Sequence, residues 1–174
     1  MKGFLQRLFG NGPAPEKAAR PQDTGRLEIK PFSHGLVRIP ALDFFGLHAA
    51  SSDGRFHLIW QDRNPEGTVG GHRYEGHGSW TLLTDEGQVL AKGRLERPQD
   101  GHLAENGTFI LSDWMFGDGL NSRLAAFRVD GQKIVDRPFS ANMAISWLSD
   151  DERFAICQTA NAPGSPDSCR YFLF

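Results

Sequence analysis

Cysteine is scarce in this chain. Its 174 residues hold two, Cys157 and Cys169, and no CxxC pair, which excludes a zinc site built on four thiolates. Long apolar runs are missing too, since none approaches the roughly 18 residues of a membrane-spanning helix. Charge of one sign is not in excess: 19 Lys and Arg stand against 21 Asp and Glu, net -2. Without basic residues clustered on one face there is no electrostatic footprint for nucleic acid. Three common catalytic signatures are absent as well: the G-x-S-x-G elbow, the P-loop and the dinucleotide fingerprint. No cofactor is expected.

What is plentiful is glycine, with 20 residues, and phenylalanine, with 13. Glycine serves turns that need positive φ, and aromatic and β-branched side chains suit strands, so the composition points to an all-β protein. At 39% hydrophobic and 23% charged the body is a globular domain with a core of ordinary size. Charge is spread unevenly: residues 1–30 carry six of the basic and three of the acidic residues, leaving 13 basic against 18 acidic in the remainder. The opening MKGFLQRLFGNG reads as a short amphipathic helix, with Phe4, Leu5, Leu8 and Phe9 on one side and Gly10 with Asn11-Gly12 as its stop. Arg7 interrupts an apolar stretch too short for a signal peptide. A helix of this length is marginal by itself; residues 2–9 could also touch a membrane surface or a partner's groove. PAPEKAARPQDTG, residues 13–25, holds three prolines and reads as a linker. The expected division is therefore residues 1–26 as helix and linker, and 27–174 as the β domain.

Three segments of that domain align. SSDGRFHLIW at 51, LAENGTFILSD at 103 and LSDDERFAICQT at 148 each set a polar turn before an aromatic that opens an apolar strand, at Phe56, Phe109 and Phe154. A second strand follows each: SWTLLTDEGQ from 79, RLAAFRVDGQ from 123 and SCRYFLF from 168. The first two run into hairpin turns and further strands, VLAKGRLERP and KIVDRPFS. The aromatics stand 53 and 45 residues apart, a spacing of propeller-blade size.

The S-x-D-G-R-F turn and the four-strand period resemble the generic β-propeller blade, as in WD-repeat, Kelch and "SPDG"-type propellers, although none of the four tryptophans is followed by Asp. The resemblance spans residues 43–174. It implies about three four-stranded antiparallel blades. RLEIKPFSHGLVRIP at 26–40 matches QKIVDRPFSANMAIS at 132–146 around Pro-Phe-Ser, which suggests that an N-terminal strand completes the last blade, as closed propellers do to remove free edges. Three blades are too few for a ring. Two chains joined as a six-bladed homodimer, a fragment of a longer propeller, and an irregular β-sandwich or open barrel remain the alternatives.

In a blade, the loops between second and third strands share one face: residues 63–78, 114–122 and 161–168. The turn holding Asp53 and Gly54 belongs to the opposite one. Binding groups gather on loops carried by a rigid scaffold. The first loop offers His72, Arg73, Tyr74, Glu75 and His77 between glycines. His72, Glu75 and His77 could ligate a divalent ion, but their spacing matches no helical metal motif. Arg and Tyr are frequent interface anchors. The second loop offers Trp114, Phe116, Asp118 and Asn121, either as a lid on the core or as aromatic anchors with polar neighbours. His34, His48, His57 and His102 are scattered along strands, where structural roles are the rule. Cys157 and Cys169 flank the third loop and could face each other across a ladder, while reduced thiols suit the cytoplasmic location expected of a chain without a signal peptide.

Together these readings favour a non-catalytic, adaptor- or inhibitor-like module that binds a protein partner through one loop face. A carbohydrate or small-ligand binder stacking on Trp114 and Tyr74 is the alternative, and a metal-assisted hydrolase on His72, Glu75 and His77 the third reading.

Overall fold

The computed structural model describes residues 26–174 except 65, 66 and 69. The expected N-terminal helix at 2–9 and the linker at 13–25 lie outside the described residues. Among the described residues thirteen strands form three antiparallel sheets. Sheet 1 holds β1 (Lys30–Pro31), β2 (Leu36–Ile39), β3 (Phe44–Ala50), β4 (Phe56–Gln61), β5 (Gly78–Thr84) and β6 (Val89–Leu95) in sequence order. Sheet 2 holds β7 (Pro98–Leu103), β8 (Phe109–Asp113), β9 (Ser122–Phe127) and β10 (Lys133–Phe139). Sheet 3 holds β11 (Met143–Leu148), β12 (Ala155–Thr159) and β13 (Tyr171–Leu173).

The sheets stack, with sheet 2 in the middle: β7 lies against β3 and β4 on one side and against β11 on the other. Burial follows from that position. The FILSD of β8 is buried at every residue, because a strand covered on both faces has no use for polar alternation. Phe109 and Leu111 join Trp60, Trp80 and Leu82 in the core between sheets 1 and 2. Ile110 joins Leu124, Leu148 and Cys157 between sheets 2 and 3. Trp80 anchors the first core at ring-centroid distances of 5.0 Å from Phe109 and 4.8 Å from Phe127, within the range of favourable aromatic pairing. Its indole lies over its cross-strand partner Gly93, where a Cβ would come within 2.5 Å of the ring, so no other residue fits beneath it.

Two turns that look alike in sequence are built alike. Ser51 and Ser149 donate to Asp53 and Asp151 at 2.7 Å, and their hydroxyls accept from the backbone N–H of Phe56 and Phe154 at 3.1 Å. Gly54 and Glu152 both take the left-handed conformation that closes the turn, at φ 74° and 57°. Neighbouring turns are linked: Ser52 donates to Glu105, Glu105 N–H to the Asp150 carbonyl, and Thr108 to Glu152.

The all-β expectation holds in the form of its alternative, an open sandwich of sheets, and two of its finer parts are corrected. The N-terminal strand does not complete the last sheet: β2 pairs with β3, from Leu36 opposite Leu47 to Ile39 opposite Phe44. A short hairpin through a 3-10 turn at Pro40–Leu42, ended by Asp43 at φ 46°, closes a far smaller loop than a strand delivered to β13 would. The Pro-Phe-Ser match does not reflect equivalent places. Phe139 is buried against Phe172 at 4.7 Å, whereas Phe32 is exposed and meets Phe45 edge-on. The three sheets are also not four-stranded units alike: they hold six, four and three strands, and none is closed.

Candidate functional site

Two loops meet at one end of the stack: residues 62–77, between β4 and β5, and 114–121, between β8 and β9. The first is pinned at its neck by Asp62. One carboxylate oxygen pairs with the Arg73 guanidinium at 2.6 Å, and the other accepts from Gly71 N–H at 3.1 Å and Gln99 Nε2 at 2.8 Å. Arg73 spends its remaining donors on backbone carbonyls, on Gly76 at 2.7 Å, Gly71 at 2.8 Å and Glu96 at 2.9 Å. It is buried. Three hydrogen bonds and an ion pair on a planar fork are what make this buried guanidinium tolerable.

The second loop is then laid on the first. Gly117 N–H donates to the Arg73 carbonyl at 3.1 Å, and Phe116 N–H donates to the Glu96 carboxylate at 2.5 Å. The Phe116 ring sits 5.7 Å from the Arg73 guanidinium and 5.0 Å from His77, edge to face. At the rim, Asp118 accepts from the Tyr74 hydroxyl at 2.6 Å and lies 3.1 Å from His72 Nε2. Donating to that carboxylate raises the Tyr74 pKa. Below lies Asp113, fully buried, whose carboxylate accepts from Arg97 N–H at 2.6 Å and Glu96 N–H at 3.3 Å and faces Arg123 at 3.7 Å. Burial pushes its pKa up, against those backbone bonds.

The sequence-proposed residues thus separate by depth. His72, Tyr74, Glu75, His77, Asp118 and Asn121 are exposed. Trp114 and Phe116 are half-buried, which fits the lid reading of that loop better than free aromatic anchors. Arg73 is corrected: it is an internal tie, not a surface contact. The metal set does not converge, since His72 turns to Asp118 and His77 to Phe116, and no group of three or more His, Cys, Asp or Glu that could hold a metal occurs among the described residues. Asp62, Glu96, Asp113 and Arg123 were not singled out from sequence. The available signal was charge inside or directly after apolar strands, at Asp62 after FHLIWQ and Asp113 closing FILSD, because buried charge must be paired.

The third loop shares this end of the strands, with Asp167 accepting from Ser140 N–H at 2.8 Å in the β10–β11 connection. The turn end carries a different feature, a cavity of about 430 Å³ lined by Arg26, Leu27, Asp53, Arg55, His57 and Asp85 among others. Its acids are already matched, Asp53 by Arg55 and Asp85 by Arg26.

No protein-family model and no curated protein matches the sequence. Among solved structures the chain is similar to "Kuenenia stuttgartiensis Hydrazine Synthase" at 10% identity and a TM-score of 0.43, over 89% of this chain and 61% of that one. The chain therefore spans about three fifths of that chain's length. A likeness of this degree transfers neither a mechanism nor a ligand.

Proposed function

We propose that the chain is a non-catalytic binding module, adaptor- or inhibitor-like, that recognises a protein partner through the loops 62–77 and 114–121. The observation that carries this reading is the joining of those loops into one surface by Tyr74, His72 and Asp118 above a buried ionic base. Loops tied in this way have lost most of the freedom that binding would otherwise have to remove. An exposed tyrosine ring whose hydroxyl is already oriented is a rigid, amphipathic contact of the kind interfaces favour. A cytoplasmic setting fits two reduced thiols, and the three sheets are read as blade-like units in an open arrangement.

The test uses Tyr74→Ala with Asp118→Ala, both exposed, in the full-length chain. Affinity capture from cell extract should enrich a protein with the wild type and lose it with the double variant, while the thermal melt stays within a few degrees. An identical capture profile for both proteins would overturn the assignment of this face.

A further inference from the structure

A sheet with one face in water alternates apolar and polar residues. Sheet 3 does not. Ser146, Leu148, Ala155, Cys157 and Phe172 fill the face turned to sheet 2. The opposite face carries Trp147, Ile156 and Leu173 in one cross-strand row and Ile145, Gln158 and Tyr171 in the next. Five of those six are apolar or aromatic, and none is charged. Their exposures are 59% for Ile145, 63% for Trp147, 42% for Ile156, 68% for Tyr171 and 69% for Leu173.

For side chains of this size the five together present roughly 600–700 Å² of accessible surface. That is at or above the largest apolar patch of a typical monomer, roughly 300–600 Å², and close to the roughly 800 Å² that each partner gives to a standard interface. The other end of the stack differs. The outer face of sheet 1 buries Val37, Ile39, Ile59 and Leu83 beneath Leu27, Ile29 and Phe44.

We propose that the outer face of sheet 3 is a homodimer interface, in which it packs on the same face of a second copy across a two-fold axis. Head-to-tail stacking of sheet 3 on sheet 1 would have to displace the segment that already covers sheet 1. A two-fold contact needs only the one patch, used twice. None of the five large residues is charged, and the titratable group that touches them, His102 of β7 with its ring 4.9 Å from that of Trp147, is paired with Asp100. The patch therefore meets itself without like-charge repulsion, and two aligned sheets can interdigitate such side chains. The row of Trp147, Ile156 and Leu173, centred on the middle strand β12, sits where the axis would pass.

Sedimentation velocity of the full-length chain over micromolar concentrations reads this directly. The expected species has twice the 19.3 kDa chain mass, and Trp147→Lys with Leu173→Lys should weaken dimerisation by roughly tenfold or more with a preserved cooperative melt. If that variant loses its melt, Tyr171→Ser, which removes only an exposed ring, carries the same comparison with a smaller loss. A wild type that stays monomeric, or a dimer indifferent to both variants, overturns the proposal. So does a monomer whose Trp147 emission moves on Phe4→Ser with Leu8→Ser, which would make the chain's own first residues the cover. Tyr74→Ala with Asp118→Ala should leave the mass unchanged, which separates this surface from the loop face.

Discussion

The two ends of the stack solve the same problem differently. Sheets 1 and 3 each have one face on sheet 2 and one turned away, and each turned-away face carries large apolar residues. On sheet 1 these are buried, because Leu27 and Ile29 of the segment before β2, held by the Leu27 N–H bond to the Asp85 carbonyl at 2.7 Å, pack against them together with Phe44. On sheet 3 no described residue covers the equivalent surface. Apolar content therefore does not decide what is core; what decides is whether a further piece of chain reaches the face.

The largest effects should separate the two ends by stability. Leu83 is fully buried on the covered face of sheet 1, and Leu83→Ala should cost about 3 kcal/mol through lost burial and a cavity. Leu173→Ala removes the same atoms from the bare face and should change the unfolding free energy of the single chain by about 0.5 kcal/mol or less. Urea titration of each variant at concentrations below dimer formation measures both. Comparable losses at the two positions would mean that sheet 3 is covered within the monomer, and the contrast between the ends would fall.

What could be read from the sequence was short in range. The turns at 51–56 and 149–154 were legible because Ser, Asp and a left-handed residue satisfy one another within five positions, and FILSD was legible as an apolar strand opened by Phe109, though not as one covered on both sides. The edge chosen by β2 was not, since a matching tripeptide carries no information on which neighbour is nearer along the chain. Arg73 looked like an interface anchor because its partners, Asp62 and the Glu96 carbonyl, belong to other segments that only folding brings beside it. The open face of sheet 3 was hidden for the same reason. AICQT reads as an apolar strand, and alternation cannot say that one of two apolar faces lacks a cover.

A smaller effect belongs to the covered face alone. His48 and His57 lie on the outer side of sheet 1 with Nε2 and Nδ1 3.0 Å apart and rings stacked at 5.2 Å. Burial, and then the neighbouring His57, pulls the His48 pKa down from 6.5 to about 4; burial lowers that of His57 as well, against the attraction of Asp85. The folded state thus prefers neutral His48. Its contribution is complete above pH 6.5 and is lost as the pH falls towards about 4. At about 1.4 kcal/mol per unit the shift would be about 3 kcal/mol, which partial solvent exposure reduces to about 1–2 kcal/mol. Melts across that window should fall more steeply for the wild type than for His48→Gln. Parallel curves would show that the pair does not titrate as the geometry requires.

The smallest effect compares the covered side of sheet 3 with its loop end and involves no loss of stability. Cys157 points into the core beside sheet 2, opposite Phe172 across the ladder, so it does not face Cys169 and both thiols are free. Burial pushes the Cys157 thiol up to about 11, with Arg137 opposing. Cys169 is exposed in the turn before β13, held left-handed at φ 53°. The thiolate is the reactive form, and a buried thiol must wait for local opening. Native protein should therefore give one thiol that alkylates at once and one slower by roughly 100-fold or more, both becoming equal in denaturant. Because Cys157 lies on the face that sheet 2 covers, breaking the dimer with Trp147→Lys and Leu173→Lys should leave its rate untouched. Acceleration of Cys157 in that variant would show that the outer contact holds sheet 3 on the stack, and that the two faces of the sheet are not energetically separate.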